Sequence, residues 1–485
     1  MSIRTRAAVV AVAFAMLAVA CGGAGGGGGG TAKKKVTSKS LPSCPLDALK
    51  KAKGKVKVVI WHGWSSTIKN TLDSLVKEYN ASQGKVEVSA EPEGKSYDEV
   101  LKKYNAAIPS KQLPAIIQLE DTSLKAMVDG GTVLPAEACM KADHYDLDQL
   151  QPAVRAYYTT GGVYWPGFVG ISEPVLYYNK VHFQKAGLDI SKPPTTLAEL
   201  RIAAEKLKKA GVSKKPLSLV LNSWFVESWL NGIDVPTVSH DNGRSGTADK
   251  ATFDTPEAVK LFTFLKKMKD DGLLDPIPNT DGQINQYLAL AQQNSSMTIE
   301  TSSAATTIKA FLQGKLSPAD FNAGSVDVSK STLLPGAGPF PGINEPGKVR
   351  VSGAAMFIVN TSRPEVQAGA WGFLKFMLQK QQVVNFHIGA SYLPFVRGAA
   401  EDPKVQAFWK NDLAGQMLKT AAGQLAAVDP KAPGPIIGPY LDYKKDLSNA
   451  LAAVMLNNAD PAKALSAAQR KLDGTMKQYA EDNGG

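Results

Sequence analysis

Histidine is scarce in this 485-residue sequence, which contains only five. They are far apart along the chain: His62, His144, His182, His240 and His387. No pair has the spacing of a helical zinc site, so the sequence predicts no metal centre. The sequence also has no P-loop, no complete dinucleotide fingerprint at residues 336–338 and no final glycine of a nucleophile elbow at residues 170–174. These absences favour a protein that binds without catalysis or a cofactor, although a secreted hydrolase with two distant carboxylates stays open as an alternative.

Long hydrophobic runs are lacking beyond the first twenty residues. Arg4 and Arg6 precede an apolar, alanine-rich run at residues 7–20, which is shorter than the roughly 20 apolar residues that span a bilayer. This pattern indicates a cleaved signal peptide at residues 1–20. The sequence LAVAC at residues 17–21 resembles a bacterial lipobox, with its leucine one position early. We therefore expect Cys21 to carry a lipid that anchors the protein to the outer face of the cell membrane, an ordinary secretory signal being the alternative.

Residues 21–44 are predicted to form a flexible tether. Residues 22–30 are almost all glycine, and a lysine triplet and a serine- and threonine-rich run follow. Such a composition cannot bury enough apolar surface to fold. A coil of this length spans about 25 Å, so it would hold a domain that begins near Pro45 away from the membrane.

Cysteine is rare as well, with three in the whole sequence. If Cys21 carries the lipid, Cys44 and Cys139 remain as an even pair in an exported protein. A disulfide between them is the expectation, and two buried free thiols are the alternative.

The excess of positive charge is not concentrated anywhere. The net charge is +11, but there is no basic block and no basic stripe with interleaved aromatic residues. Nucleic-acid binding is therefore not expected, while an anionic ligand is compatible with the charge. More than 400 residues follow the tether, which exceeds what one core accommodates and predicts two lobes.

Strand and helix signals alternate through the first part of the folded region. The predicted strands are 56–61, 86–88 and 114–119, and the predicted helices between them are 68–82 and 97–108. Two further helices are marked by their N-terminal residues, at 197–210 after Thr196 and from Pro256 onward after Thr255. Alternation of this kind predicts an α/β fold with a parallel sheet, whose ligand edge lies at the carboxyl ends of the strands.

Several motifs together resemble the family 1 extracellular solute-binding proteins of ABC importers, especially members that bind glycerol 3-phosphate. They are IWHG at 60–63, LPAIIQ at 113–118, PVLYYNK at 174–180, SGAA at 352–355 and GASYLP at 389–394. The resemblance covers nearly all of the mature chain. It implies a periplasmic-binding-protein-like fold: two α/β lobes, a multi-strand hinge and an interlobe ligand cleft that closes around the ligand. It also implies a monomer that docks on the transmembrane subunits of an ABC permease. The expected lobes are 45–170 with 299–352, and 171–298 with 353–485.

The resemblance also implies which residues hold the ligand. They are Tyr97, Asp121 or the adjacent Glu120, Ser172, Trp224, Thr301 or Ser302, Gly353 and Tyr392. In this set a carboxylate accepts hydroxyl hydrogens, small hydroxyls and a glycine N–H donate to an anion, and an aromatic face covers the carbon backbone. Purely structural roles are the alternative for Trp224, Gly353 and Tyr392.

The chain departs from the family pattern at one position. The phosphate-binding arginine of the family falls near Lys444, which keeps the charge but loses the bidentate fork. The expected ligand is therefore either a glycerophosphate type, such as glycerol 3-phosphate or a glycerophosphodiester, or a neutral sugar or oligosaccharide.

Overall fold

The first strand shows how the sequence builds the first lobe. Val56, Val58 and Ile60 alternate with more exposed residues and are 5%, 0% and 0% exposed, so one face of the strand enters the core. The computed structural model describes residues 36–280, 285–315 and 332–484. The predicted signal peptide and the lipid site at Cys21 lie outside the described residues.

Thirteen strands lie in the described ranges. In chain order they are β1 Val56–His62, β2 Val86–Pro92, β3 Ile116–Glu120, β4 Val133–Leu134, β5 Thr159–Thr160, β6 Val163–Tyr164, β7 Phe168–Ser172, β8 Pro174–Asn179, β9 Leu217–Val220, β10 Leu274–Ile277, β11 Met297–Thr301, β12 Pro335–Gly338 and β13 Ser352–Val359.

Nineteen α-helices lie in the same ranges. They are α1 Leu46–Lys51, α2 Ser66–Ser82, α3 Tyr97–Ala107, α4 Leu124–Gly130, α5 Ala136–Ala142, α6 Pro152–Tyr157, α7 Lys180–Lys185, α8 Leu197–Lys209, α9 Ser223–Gly232, α10 Ser239–Asn242, α11 Pro256–Asp270, α12 Asn285–Ala291, α13 Ala305–Leu312, α14 Pro364–Met377, α15 Lys380–Ala390, α16 Pro403–Asn411, α17 Leu413–Ala426, α18 Tyr440–Asn457 and α19 Pro461–Asp482. The short α10 is a single turn, and its His240 and Asp241 have positive φ. None of the helices in this part of the chain is long and apolar enough to cross a membrane.

Two sheets, each with its own hydrophobic core, divide the described residues into two lobes. The first sheet has the order β2-β1-β3-β13-β4, and β7 also pairs with β13. The second has the order β10-β9-β11-β8-β12. Strands β2, β1 and β3 are parallel, as predicted, whereas β13 runs antiparallel to β3, β4 and β7. The expectation of a periplasmic-binding-protein-like architecture with two α/β lobes is confirmed.

The predicted helix starts are confirmed at both marked positions. The Thr196 hydroxyl accepts a hydrogen bond from the Glu199 N–H, and the Thr255 hydroxyl accepts one from the Ala258 N–H. The Glu199 carboxylate returns to the N–H of Thr195 and not of Thr196, so the reciprocal cap is shifted by one residue.

The chain crosses between the lobes more often than the sequence predicts. Strand β13 pairs in the first sheet, and helices α14 to α17 pack on the core of that sheet. Strand β12 instead pairs with β8 in the second sheet, and Phe340 and Val349 lie in the second core. The predicted assignment of 353–485 to the second lobe is therefore wrong for β13 and for α14 to α17, which belong to the first lobe. The predicted assignment of 299–352 to the first lobe is wrong for β12 and for the segment that follows it, which belong to the second lobe. The physical reason is that a strand pattern shows burial but not the sheet in which the strand pairs.

The predicted disulfide between Cys44 and Cys139 is confirmed. It joins the segment before α1 to α5, and the two Cα atoms are 4.9 Å apart. Cys44 is 8% exposed and Cys139 is fully buried. The bond therefore ties the beginning of the described chain to the core of the first lobe.

Candidate ligand-binding cleft

A cavity lies between the two lobes. The cavity is small in this structure, with about 40 Å³ of space for the centres of water molecules. The first lobe contributes Asp121, Thr122, Leu124, Tyr157 and Ser352. The second lobe and the segments that cross to it contribute Trp224, Glu227, Ser228, Asn231, Arg350, Val351, Tyr440 and residues 435–437. Both lobes thus present polar groups to the same space.

Asp121 follows β3 directly and is only 4% exposed. Its carboxyl group accepts hydrogen bonds from the Tyr157 hydroxyl and, at 2.8 Å, from the Gly353 N–H. Burial, and then the charge of Glu120, raises the pKa of Asp121 to about 7. The protein supplies one donor to each carboxyl oxygen, so lone pairs remain for hydroxyl groups of a ligand.

The N–H of Gly353 is used within the protein, and its contact with a ligand stays a prediction. Its N–H donates to Asp121 and so positions that carboxyl group. Its φ is +130°, and a Cβ atom here would lie 2.0 Å from the carbonyl oxygen of Gly170. Glycine is therefore required for β13 to approach β7 at the crossover between the lobes.

The second lobe presents its polar groups from the start of α9. The Asn222 side chain accepts the Trp224 N–H at 3.0 Å and caps this helix. Glu227 lies one turn further, is 5% exposed and accepts a hydrogen bond of 3.0 Å from the Tyr440 hydroxyl. Burial raises the pKa of Glu227 to about 7. The sequence analysis missed Glu227, although a glutamate one turn after Trp224 in an apolar helix was a usable signal.

Arg350 and Asn231 were also missed. The Arg350 Nη2 donates to the backbone oxygen of Asn231 at 3.4 Å. Among the described residues, the Arg350 Nη1 and the Asn231 Oδ1 are buried and have no hydrogen-bond partner. Burial lowers the pKa of Arg350 to about 10, so its guanidinium is charged at neutral pH. The available signal for Arg350 was its position two residues before the SGAA motif.

Tyr97 and Tyr392 form a hydrogen-bonded group with Trp64. The two hydroxyl oxygens are 2.9 Å apart, and the indole N–H of Trp64 donates to Tyr97 at 3.2 Å and to Tyr392 at 2.9 Å. Burial raises the pKa of Tyr97 to about 12, and the charges of Glu120 and Asp121 act in the same direction. One hydroxyl donates to the other, so one hydroxyl hydrogen stays available beside the end of β3.

Lys444 lies in an ion-pair cluster that joins the lobes. Its Nζ is 3.2 Å from Asp98 Oδ1 at the start of α3 and 3.2 Å from Glu120 Oε2 at the end of β3. Burial alone would lower the pKa of Lys444, but the two carboxylates raise it above its ordinary value. The charge of Lys444 is thus already neutralised by the protein.

The predicted hinge residues hold the crossover strands together. The carbonyl oxygen of Ser172 accepts the Ser352 hydroxyl at 2.6 Å. Ser302 and Glu173 exchange two hydrogen bonds, in which the Ser302 hydroxyl accepts the Glu173 N–H at 3.1 Å and the Ser302 N–H donates to the Glu173 carbonyl at 2.8 Å. Thr301 caps the turn that follows β11. The Glu173 carboxyl group is fully buried, and burial raises its pKa well above the ordinary range.

Two of the ten predicted ligand residues, Asp121 and Trp224, line the cavity. The other eight lie in the tyrosine group, in the Lys444 cluster or at the hinge. Their contacts with a ligand stay predictions. In the described ranges, no three histidine, cysteine, aspartate or glutamate side chains form a group that could hold a metal ion.

Two α/β lobes with a polar cleft between them define the chain as a two-lobed binding protein. Residues 74–413 match the profile of the bacterial extracellular solute-binding proteins. The chain belongs to this family, as its motifs predict, and is therefore a solute-binding protein that works outside the cytoplasm.

Relatives and solved structures agree with this assignment. The sn-glycerol-3-phosphate-binding periplasmic protein UgpB of Brucella melitensis is 28% identical over 73% of this chain and 77% of its own length. UgpB of Yersinia pseudotuberculosis is 25% identical over 88% and 93%. The fold is similar to that of Mycobacterium tuberculosis UgpB in complex with glycerophosphocholine, with a TM-score of 0.70 at 17% identity over 88% of this chain and 99% of the other. It is also similar to a cyclic alpha-maltosyl-1,6-maltose binding protein from Arthrobacter globiformis, with a TM-score of 0.68 at 20% identity over 88% and 100%.

Proposed function

We propose that this protein is the substrate-binding subunit of an ABC importer and captures a small polyhydroxylated solute, either a glycerophosphate ester or a sugar. The observation that carries the proposal is the cleft itself. Asp121 from one lobe and Glu227 from the other bring buried carboxyl groups to a space that Trp224 and Tyr440 also line. Carboxyl groups that bind hydroxyls and aromatic faces that cover carbon atoms suit such a solute. The names of the relatives, which bind glycerol 3-phosphate, glycerophosphocholine or maltose-type sugars, support the same class.

The cellular arrangement follows from the same proposal. Lipid on Cys21 anchors the protein to the outer face of the cell membrane, and the closed form docks as a monomer on the transmembrane subunits of the permease. Globomycin treatment of the producing cells tests the anchor, because inhibition of lipoprotein signal peptidase should leave the precursor uncleaved. Normal processing and release of the protein would contradict lipidation at Cys21.

We expect capture without turnover. The protein should leave an excess of glycerophosphodiester or oligosaccharide intact, as measured by chromatography after prolonged incubation. Multiple-turnover product formation that is abolished by changing Asp121 or Glu120 would favour the hydrolase alternative.

A thermal-shift screen of the purified protein against glycerophosphate esters and sugars identifies the ligand, and calorimetry then tests the cleft. Asp121→Ala should weaken binding at least tenfold, because hydrogen bonds to a charged group contribute roughly 1.5–3 kcal/mol each. Trp224→Ala should weaken it less, through lost apolar contact. Asp47→Ala is the matched control, because Asp47 is exposed, pairs with Lys50 and does not line the cavity. Native affinity in both cleft variants would mean that the ligand binds elsewhere.

A further inference from the structure

Two arginines meet at Gly434, on the segment that crosses back to the second lobe. The Arg244 Nε donates to the carbonyl oxygen of Gly434 at 2.6 Å. The Arg350 side chain packs on the other side of the same residue, where a Cβ atom would lie 2.7 Å from Arg350 Cδ and 3.1 Å from its Nη1. Gly434 has a φ of +102°, so glycine permits both the backbone conformation and the close approach.

Neither arginine has a carboxylate oxygen within 4 Å among the described residues. The Arg244 Nη1 donates to the backbone oxygens of Tyr157 and Thr159, and the Arg350 Nη2 donates to that of Asn231. One nitrogen of each guanidinium, Nη2 of Arg244 and Nη1 of Arg350, is buried without an acceptor in this part of the chain. The charges of Asp234 and Glu227 favour the Arg350 cation, and that of Asp241 favours the Arg244 cation, but none of these carboxylates lies within ion-pair distance. Partly buried charges without a close counter-ion are unfavourable, so an anion that reaches these buried nitrogens would stabilise the arrangement.

The position of the two arginines connects them with the cleft. Arg350 lines the interlobe cavity together with Asp121 and Trp224. Arg244 lies over the ring of Tyr157, 5.4 Å from its centre, and lines an adjoining groove. Tyr157 and the segment around Gly434 thus lie between the cavity and the groove.

Lys444, which also lies near the cleft, is less available to an anionic ligand than Arg350 is. Lys444 is already paired with Asp98 and Glu120 at 3.2 Å each. The carboxyl groups of Asp121 and Glu227, which share the cavity with Arg350, have pKa values raised to about 7 by burial, so they repel an anion less than ordinary carboxylates do. Of the charged groups that line the cavity, Arg350 is the cation.

We propose that Arg350, supported by Arg244, binds an anionic oxygen group of the transported solute, while the hydroxyl-bearing end of the solute lies at Asp121. The inference rests on the proposed function and narrows it to solutes that carry a phosphate or another oxyanion. A guanidinium suits this task because its parallel N–H groups match two oxygens of one anion. In the alternative arrangement, a neutral hydroxyl of the solute accepts a hydrogen bond from Arg350 Nη1 and donates one to Asn231 Oδ1.

Calorimetry with defined probes separates these arrangements. The probes are sn-glycerol 3-phosphate, inorganic phosphate, and the neutral compounds glycerol and maltose. Arg350→Met should weaken the binding of sn-glycerol 3-phosphate at least 20-fold and reduce its salt dependence, whereas Arg350→Lys should weaken it about 5-fold or less. Arg244→Met should have an intermediate effect. Arg201→Met is the matched control, because Arg201 is on the second lobe and pairs with Glu205 and Asp271 instead of lining the cavity.

Thermal melting without a ligand distinguishes a binding role from a structural one. Arg350→Met should melt no lower than the wild type, because it removes a partly buried charge without a close counter-ion. Low millimolar inorganic phosphate should raise the melting temperature of the wild type saturably, beyond sodium chloride of equal ionic strength, but not that of Arg350→Met. Tighter binding of the ester than of inorganic phosphate identifies the ester as the solute class, and equal binding identifies the free oxyanion.

Two outcomes would overturn the inference. One is unchanged binding of both phosphates in a folded Arg350→Met protein, so that its affinities equal those of the Arg201→Met control. The other is a wild-type protein that binds maltose or another neutral solute and neither phosphate, in which case the proposed capture function stands and the anion site fails. A protein that binds no solute of either class would refute the proposed function itself.

Discussion

Lys444 offers a test of how the two lobes are held together. Its side chain is 18% exposed, and those of its partners Asp98 and Glu120 are 22% and 19% exposed, so water screens this cluster only in part. Because the lysine belongs to the second lobe and both acids to the first, the cluster exists only when the lobes are close. We therefore expect Lys444→Met to disfavour closure and not to remove a contact with the ligand.

The expected size of the effect follows from the geometry. Opposite charges about 3.2 Å apart attract by roughly 5 kcal/mol at an effective dielectric constant of 20. Desolvation of the three groups and repulsion between Asp98 and Glu120 cancel most of this attraction. A net stabilisation of about 1–2 kcal/mol is the expectation for such a partly buried cluster. This corresponds to a change of about 5- to 30-fold in the closing equilibrium, and apparent affinity falls by the same factor for any ligand that requires closure.

Two measurements check this prediction. Calorimetry with the identified ligand should show the loss of affinity, and small-angle X-ray scattering of the liganded protein should show a larger radius of gyration for Lys444→Met. Lys445→Met is the control, because Lys445 is exposed on the same helix. The reasoning would be refuted if the variant kept both native affinity and native dimensions, or if it lost affinity for charged ligands only.

The remaining predictions concern stability. Replacing both Cys44 and Cys139 by alanine should lower the free energy of unfolding by about 3–5 kcal/mol, because the disulfide closes a loop of 95 residues. Urea denaturation measures this loss, and a loss under about 1 kcal/mol would contradict the argument from loop closure. Burial raises the pKa of Asp121 from 3.8 to about 7, so the folded protein retains a proton that the unfolded chain releases, and stability falls as pH rises from about 4 to 7. Asp121→Asn removes this titration, so its free energy of unfolding relative to that of the wild type should rise by about 2–4 kcal/mol from pH 4.5 to pH 8. Urea denaturation at both pH values measures this difference, and a difference that is the same at both would contradict the raised pKa.

Local sequence patterns were sufficient for much of the first lobe. The predicted order of strands and helices from Val56 to Glu120 matches the structure within a few residues, because alternating buried positions and capping residues act over short stretches of chain. The position of Asp121 at the cleft also follows, since the carboxyl ends of adjacent parallel strands lie at one edge of a sheet. The pairing of Cys44 with Cys139 needed only the cysteine count and the exported context.

Tertiary structure alone decided the rest. The sheet in which β13 pairs depends on partners at Ile116 to Glu120 and at Phe168 to Ser172, far away in the sequence. The pairing of Lys444 with Glu120 spans 324 positions, and the meeting of Arg244 with Gly434 spans 190. A residue type predicts what a side chain can do, but its role in a two-lobed protein depends on which neighbours the folded chain brings within a few ångströms. For Lys444 those neighbours are two carboxylates of the opposite lobe, and for Arg350 they include no carboxylate oxygen within 4 Å among the described residues.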